Sequence, residues 1–166
     1  MNAAVWLGAG VFFTFGVGPA FFTPEMKQLL GPAYPGLIAQ MVMERYFALQ
    51  YWCGSIAIVH LLAEWVYLGK ALHRITLGAI LTAFCLGLIG GVWFQPKIKR
   101  LHQVKYGRVE LYTPAQKTQA AKSLGVWHGT SMIGNYLALA ALAVSFWRLA
   151  NPANGPRFVP ANKFRG

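Results

Sequence analysis

The sequence predicts an all-α fold: an integral membrane four-helix up-and-down bundle with a short interfacial helix. Three observations lead there. Hydrophobic residues make up 56% of the chain and charged residues only 11%, whereas a soluble domain carries about 25% charged residues. Four apolar stretches approach or exceed the roughly 20 residues that a helix needs to cross a bilayer. Most of the charge falls between those stretches. Lipid offers no partner to an open backbone, so each stretch is expected to be helical.

The first span covers about residues 3–22. It has no basic residues ahead of it and no small-residue cleavage site, so it reads as a retained helix rather than a signal peptide. Gly10, Thr14 and Gly18 repeat every fourth residue, giving a smooth face for close helix contact. Thr23-Pro24-Glu25 then opens the short interfacial helix, with Thr as cap and Pro in the first position. Gly31-Pro32 ends it.

Pro35 starts a lead-in to the second span, about 46–68, and Leu37, Ile38 and Met41 make that lead-in amphipathic. The third span, about 75–94, carries Ala79, Ala83, Gly87 and Gly91 at four-residue spacing, a second smooth face. Gln95-Pro96 is expected to close it, because proline lacks an N–H and clashes with the preceding turn. The fourth span, about 124–149, belongs to a helix that begins earlier. Thr113-Pro114-Ala115-Gln116 spells a capping box.

Residues 1–150 thus form one transmembrane domain. Residues 151–166, rich in Pro, Gly and Asn, form an extended tail that is expected to be disordered alone. Cys53 and Cys85 read as small buried hydrophobes. Trp6, Trp93 and Trp147, near helix ends, fit an interfacial belt.

The net charge is +11, but the basic residues lie between apolar runs rather than along a stripe on a soluble fold, which excludes a nucleic-acid partner. They serve topology instead. Nine Lys and Arg fall on the side of the 97–123 loop and six on the other. Positive charge is retained in the cytoplasm, so the 97–123 loop is expected there and both termini outside, in a bacterial inner membrane.

Ionisable and polar residues at membrane depth are costly and mark candidate sites. On the second helix Tyr46, Gln50, Cys53, Ala57, His60 and Glu64 follow helical spacing on one face, with Arg45 at its start. On the fourth, His128, Ser131 and Asn135 do the same. The two faces are expected to meet as a polar seam. With a rise of about 1.5 Å per residue, His60 and Asn135 fall at similar depth, so they are expected to touch. His128 is expected near the Arg45–Gln50 end. His60 and His128 differ in depth by about 12 Å, too far to share one haem iron.

Three readings of the seam stay open: a packing pair of His60 and Glu64, a haem b or metal-ion site using His60 or His128, and a proton or ion path. His73 and His102 lie in polar segments and are expected to be solvated. No His or Cys pair has zinc-site spacing. The sequence contains no nucleophile elbow, phosphate loop, dinucleotide fingerprint or zinc-protease motif, which argues against a soluble-type enzyme.

The stretch Gly125-Val126-Trp127-His128-Gly129-Thr130-Ser131, with Asn135 beyond it, resembles a signature of the bacterial membrane family called domain of unknown function 4149, which is similar to transmembrane protein 205. The opening Val5-Trp6-Leu7-Gly8-Ala9-Gly10 and the segment Glu44-Arg45-Tyr46-Phe47 also resemble that family. The resemblance implies a four-helix membrane protein with no assigned reaction, in which His128, Ser131 and Asn135 are the polar motif. The expected role is a non-enzymatic accessory subunit or binding protein, partnered by the lipid bilayer and, through its tail, by a larger membrane complex. A haem or metal redox protein and a transporter of metal ions or small solutes are the alternatives.

Overall fold

The computed structural model describes residues 1–69, 73–107 and 110–151. Lys70, Arg108 and the tail from residue 152, with Arg157, Lys163 and Arg165, lie outside the described residues. The elements are α1 (Asn2–Ala20), α2 (Pro24–Leu30), α3 (Tyr34–Leu68), α4 (Arg74–Tyr106) and α5 (Pro114–Ala150). All are helical, and α1, α3, α4 and α5 are long and apolar enough to cross a membrane.

The local signals explain the helix ends. The Thr113 hydroxyl accepts from the Gln116 N–H at 3.3 Å, and the Gln116 side chain accepts from the Thr113 N–H at 2.9 Å, closing the capping box. The Thr23 hydroxyl accepts from the Met26 N–H, and Gly31 leaves α2 at φ 76°. That backbone geometry suits a residue without a Cβ.

Pro96 does not end a helix. Residues Ile89–Phe94 widen into a π turn, and the Gln95 N–H reaches back five residues to the Gly90 carbonyl. The chain then runs on to Tyr106. Pro19 is treated the same way in α1, where Phe12–Val17 is a π segment and the Gly18 N–H reaches the Phe13 carbonyl. A wider turn spares proline the clash with the carbonyl four residues back. The expected stop at Gln95-Pro96 is therefore corrected to a continuous helix.

Among the long helices α1 packs on α3, α3 on α4, α4 on α5 and α5 on α1, and the short α2 packs on α3. Asn2 bonds the Cys53 carbonyl and Trp6 bonds Gln50, so numbers rise along α1 as they fall along α3. Gly54 faces Phe84 while Gly36 faces His102. The predicted smooth faces sit at these contacts: Gly87 against Gln50, Gly91 against Phe47 and Tyr51, and Gly10 against Leu139 and Tyr46.

At one end the four helices close completely. Trp6, Cys53, Ile80, Ala83 and Leu142 form the core, one or two from each helix. Trp6 is 2% exposed and Ala83 is 0%. Trp6 thus departs from the expected interfacial belt: its ring fills the bundle, and its indole N–H donates to Gln50 Oε1 at 3.5 Å. Trp93 and Trp147 do face outward. Cys53 is buried, but Cys85 is exposed, on the outer side of α4.

The lead-in of α3 is also turned round relative to expectation. Pro35, Gly36, Ala39 and Gln40 are buried, while Leu37 and Met41 face outward. Lipid is as apolar as leucine, so burial there selects small and hydrogen-bonding residues instead of large apolar ones.

Candidate functional site

At the other end the same four helices stand apart around a cavity of about 620 Å³. Its walls come from the second half of α1, the first half of α3, the second half of α4 and the first half of α5, with α2 contributing Lys27. Both π segments border it, through Phe13 and Thr14 on α1 and Ile89, Gly90 and Phe94 on α4. The walls are mainly apolar, from residues such as Phe22, Phe47, Leu86 and Met132.

A chain of side chains crosses the cavity wall. Tyr46 donates its hydroxyl to Asn135 Oδ1 at 3.3 Å. Asn135 Nδ2 donates to Thr14 Oγ1 at 2.7 Å. Thr14 donates in turn to the Gly10 carbonyl at 2.7 Å. The Tyr46 ring also stacks on Phe13, with centroids 4.2 Å apart and planes 6° from parallel. Three helices are thereby tied together by groups that satisfy one another, which is how polar residues are tolerated at membrane depth.

The predicted seam divides along this line. On α3, Tyr46, Gln50 and Cys53 face inward, but His60 is exposed and Glu64 is half-buried. On α5, Ser131 and Asn135 are half-buried, and both line the cavity together with the exposed His128. Asn135 meets Tyr46 and Thr14 rather than His60, which corrects the depth matching. In the second half of α3 the residues packed on the core are Ala57, Ile58 and Leu61, and His60 lies on the exposed side between them. His128 and Gln50 share the cavity, as the depths suggested, whereas Arg45 is exposed and does not line it. Among the described residues, no group of three or more His, Cys, Asp or Glu is placed to hold a metal ion.

His102 is the largest departure. It is only 8% exposed, seated against Gly36 and next to the Tyr106 ring at 4.7 Å between centroids. A Cβ on residue 36 would collide with the imidazole, so the absence of a side chain there makes the seat. His73 is exposed, with the Arg148 guanidinium 3.4 Å from its Nε2.

Sequence reasoning passed over Gln40, expected His102 to be solvated and took Lys27 and Lys105 only as topology charges, yet all four line the cavity. One signal for the first was present: Gln40 is the single amide in the run Gly36-Leu37-Ile38-Ala39-Gln40-Met41-Val42-Met43. At the rim of this end, Glu44 binds Lys99 at 2.7 Å and accepts from Gln95 at 3.4 Å. Lys97 lies over the Trp127 ring at 5.0 Å.

A family model described as a domain of unknown function (DUF4149) matches residues 1–106. The match takes in α1 through α4, including the Val5–Gly10 and Glu44–Phe47 segments. It stops before α5, so the His128, Ser131 and Asn135 motif lies beyond it. No curated protein and no solved structure matches the chain.

Proposed function

The chain belongs to the DUF4149 family, and from that premise we propose that it is a non-enzymatic membrane binding protein that holds an amphipathic small molecule between its four helices. The cavity of about 620 Å³ carries this reading. It falls within the range of roughly 300–1,000 Å³ typical of small-molecule sites, which are mostly apolar with a few placed polar groups. Here the polar groups include Gln40, Tyr46, His128, Ser131 and Asn135.

Holding is favoured over transport. A path through the protein would have to pass the packed end, where Trp6, Ala83 and Leu142 leave no room. A metal or haem site loses support because His60 lies away from the cavity and His128 has no second histidine from the predicted seam beside it. A role as an accessory subunit is compatible with ligand holding, and the tail would be its docking element. In this reading the helices run up and down across a bacterial inner membrane. The basic residues Lys97, Lys99, Arg100 and Lys105 keep the cavity end cytoplasmic, in line with the positive-inside rule.

A fluorescent acyl-chain probe tests the proposal with the full chain in non-ionic detergent. Saturable binding is expected, weakened about tenfold by Ser131→Phe, which fills part of the wall (a loss of about 1.4 kcal/mol). A probe signal that never saturates, or one unchanged by Ser131→Phe in a variant that still melts normally, overturns it.

A further inference from the structure

We propose that one end of this cavity is a head-group site for an anionic, hydroxyl-bearing single-chain lipid. The proposal rests on the amphiphile-binding reading above and adds the chemistry of the head.

Two independent observations carry it. The first is charge. Among the described residues, the charged side chains that line the cavity are Lys27 and Lys105, joined by the His102 and His128 imidazoles, and no carboxylate lines it. The nearest acid on α3, Glu44, is engaged with Lys99 and Gln95 and lies outside the lining. A lining that gathers cations without counter-ions favours an anion.

The second is an orphaned acceptor. Gln40 is only 7% exposed, and its Oε1 is buried without a hydrogen-bond partner. A buried acceptor left unmade costs about 1–3 kcal/mol, and a ligand hydroxyl would satisfy it.

These groups belong to the same end. Gln40 is one turn from Gly36, on the same face of α3, and Gly36 carries the His102 imidazole. Lys105 is one turn beyond His102 on α4. Below them Phe13, Phe47, Phe94 and Met132 offer the apolar room an acyl chain needs. Tyr46 and Thr14 do not compete for the head, because their hydroxyl protons are already given to Asn135 and to the Gly10 carbonyl, and Asn135 is held between them. Lys27 is exposed and the Lys105 ammonium lies 4.8 Å from the Tyr106 ring centroid, and both sit on flexible stems that can follow a lipid head.

The full chain in non-ionic detergent is titrated with lysophosphatidylglycerol, with lysophosphatidylcholine of the same acyl chain and with glycerol 3-phosphate, and bound ligand is counted by native mass spectrometry. Lysophosphatidylglycerol is expected to bind about tenfold tighter than the zwitterionic lipid. The double variant Lys27→Gln/Lys105→Gln should shrink that gap below about threefold, and Gln40→Leu should weaken lysophosphatidylglycerol about fivefold. Melting curves confirm that each variant is folded. Equal binding of the two lysolipids overturns the anionic head while leaving the amphiphile reading intact. Failure of both lysolipids to bind overturns both proposals. Glycerol 3-phosphate binding as tightly as the lysolipid makes this a free-anion site and overturns the lipid. An unchanged affinity in Gln40→Leu overturns the hydroxyl contact.

Discussion

Where Trp6, Cys53, Ala83 and Leu142 meet, the four long helices close on one another; where Phe13, Gln40, Phe94 and His128 line the walls, the same four helices stand apart. The closed end is built from regular α-helix. The open end holds both π segments and both in-helix prolines, Pro19 and Pro96. A proline displaces the helix ladder, and the extra residue in the turn pushes the wall outward. In water, an apolar void of this size would tend to collapse or lose stability. In lipid, no hydrophobic force between helices demands collapse, and association depends on close packing and hydrogen bonds. One tightly packed end and one hydrogen-bonded tie, Tyr46–Asn135–Thr14, can hold the hollow end open.

The sharpest way to break this comparison is to remove the filling of the closed end. Trp6→Ala deletes a buried ring from the core it forms with Cys53, Ile80, Ala83 and Leu142, and also leaves Gln50 without its indole donor. Truncating a buried Trp or Phe costs about 3–5 kcal/mol, and Trp6→Ala is expected at about 3. Phe13→Ala, at the open end, removes a stacked partner of Tyr46 and should cost only about 1 kcal/mol. Unfolding in mixed micelles measures both. Equal losses would mean that the two ends contribute alike.

A second pair of variants sharpens the contrast by adding volume instead. Ala83 is 0% exposed, so Ala83→Leu overpacks the closed end and should cost about 2 kcal/mol. Ala39→Leu, on the cavity wall, has room and should leave stability within about 0.5 kcal/mol while weakening probe binding. If Ala39→Leu unfolds the protein as readily as Ala83→Leu, the open end is not hollow in the membrane.

The same physics decides what could be read from the sequence. The helices, the capping box at Thr113 and the small-residue faces follow from local rules, and each is present. The inward half of the α3 polar face, Tyr46 and Gln50, was also legible from spacing. His60 was not, because the inward face turns along a 35-residue helix: at its level Ala57, Ile58 and Leu61 pack on the core and His60 faces out. Asn135 was legible as a polar site, yet its true partners sit on α3 and, within the α1 π segment, at Thr14. A π turn shifts the register of everything beyond it, and no local signal except a following proline marks it. The cavity itself is a property of four helices together and leaves only faint traces, such as Gln40 and Gly36.

Asn135→Leu tests the tie between the two ends. It removes the acceptor of Tyr46 and the donor to Thr14. Interhelical hydrogen bonds in membranes contribute about 0.6 kcal/mol on average and up to about 1.7, so a loss of about 1 kcal/mol is expected. Tyr46→Phe should cost less, since it leaves Asn135 bonded to Thr14. A loss in Asn135→Leu as large as that in Trp6→Ala would make the tie, not the packed core, the element that holds the bundle.

The smallest effect is expected at the rim of the open end. Lys99 and Glu44 are 2.7 Å apart, but their side chains are 43% and 48% exposed. Exposed ion pairs gain little against water, side-chain entropy and salt. Lys99→Gln should therefore leave the melting temperature within replicate scatter. Its sensitivity to medium is the informative part. In water the pair is screened, and added salt changes nothing further once Lys99 is gone. If the rim is instead buried in lipid head groups, the effective dielectric falls and the pair strengthens. A clear loss on Lys99→Gln in lipid nanodiscs, absent in detergent, would place the mouth of the cavity within the head-group layer rather than above it. That is the depth at which a lipid head could enter between α3 and α4.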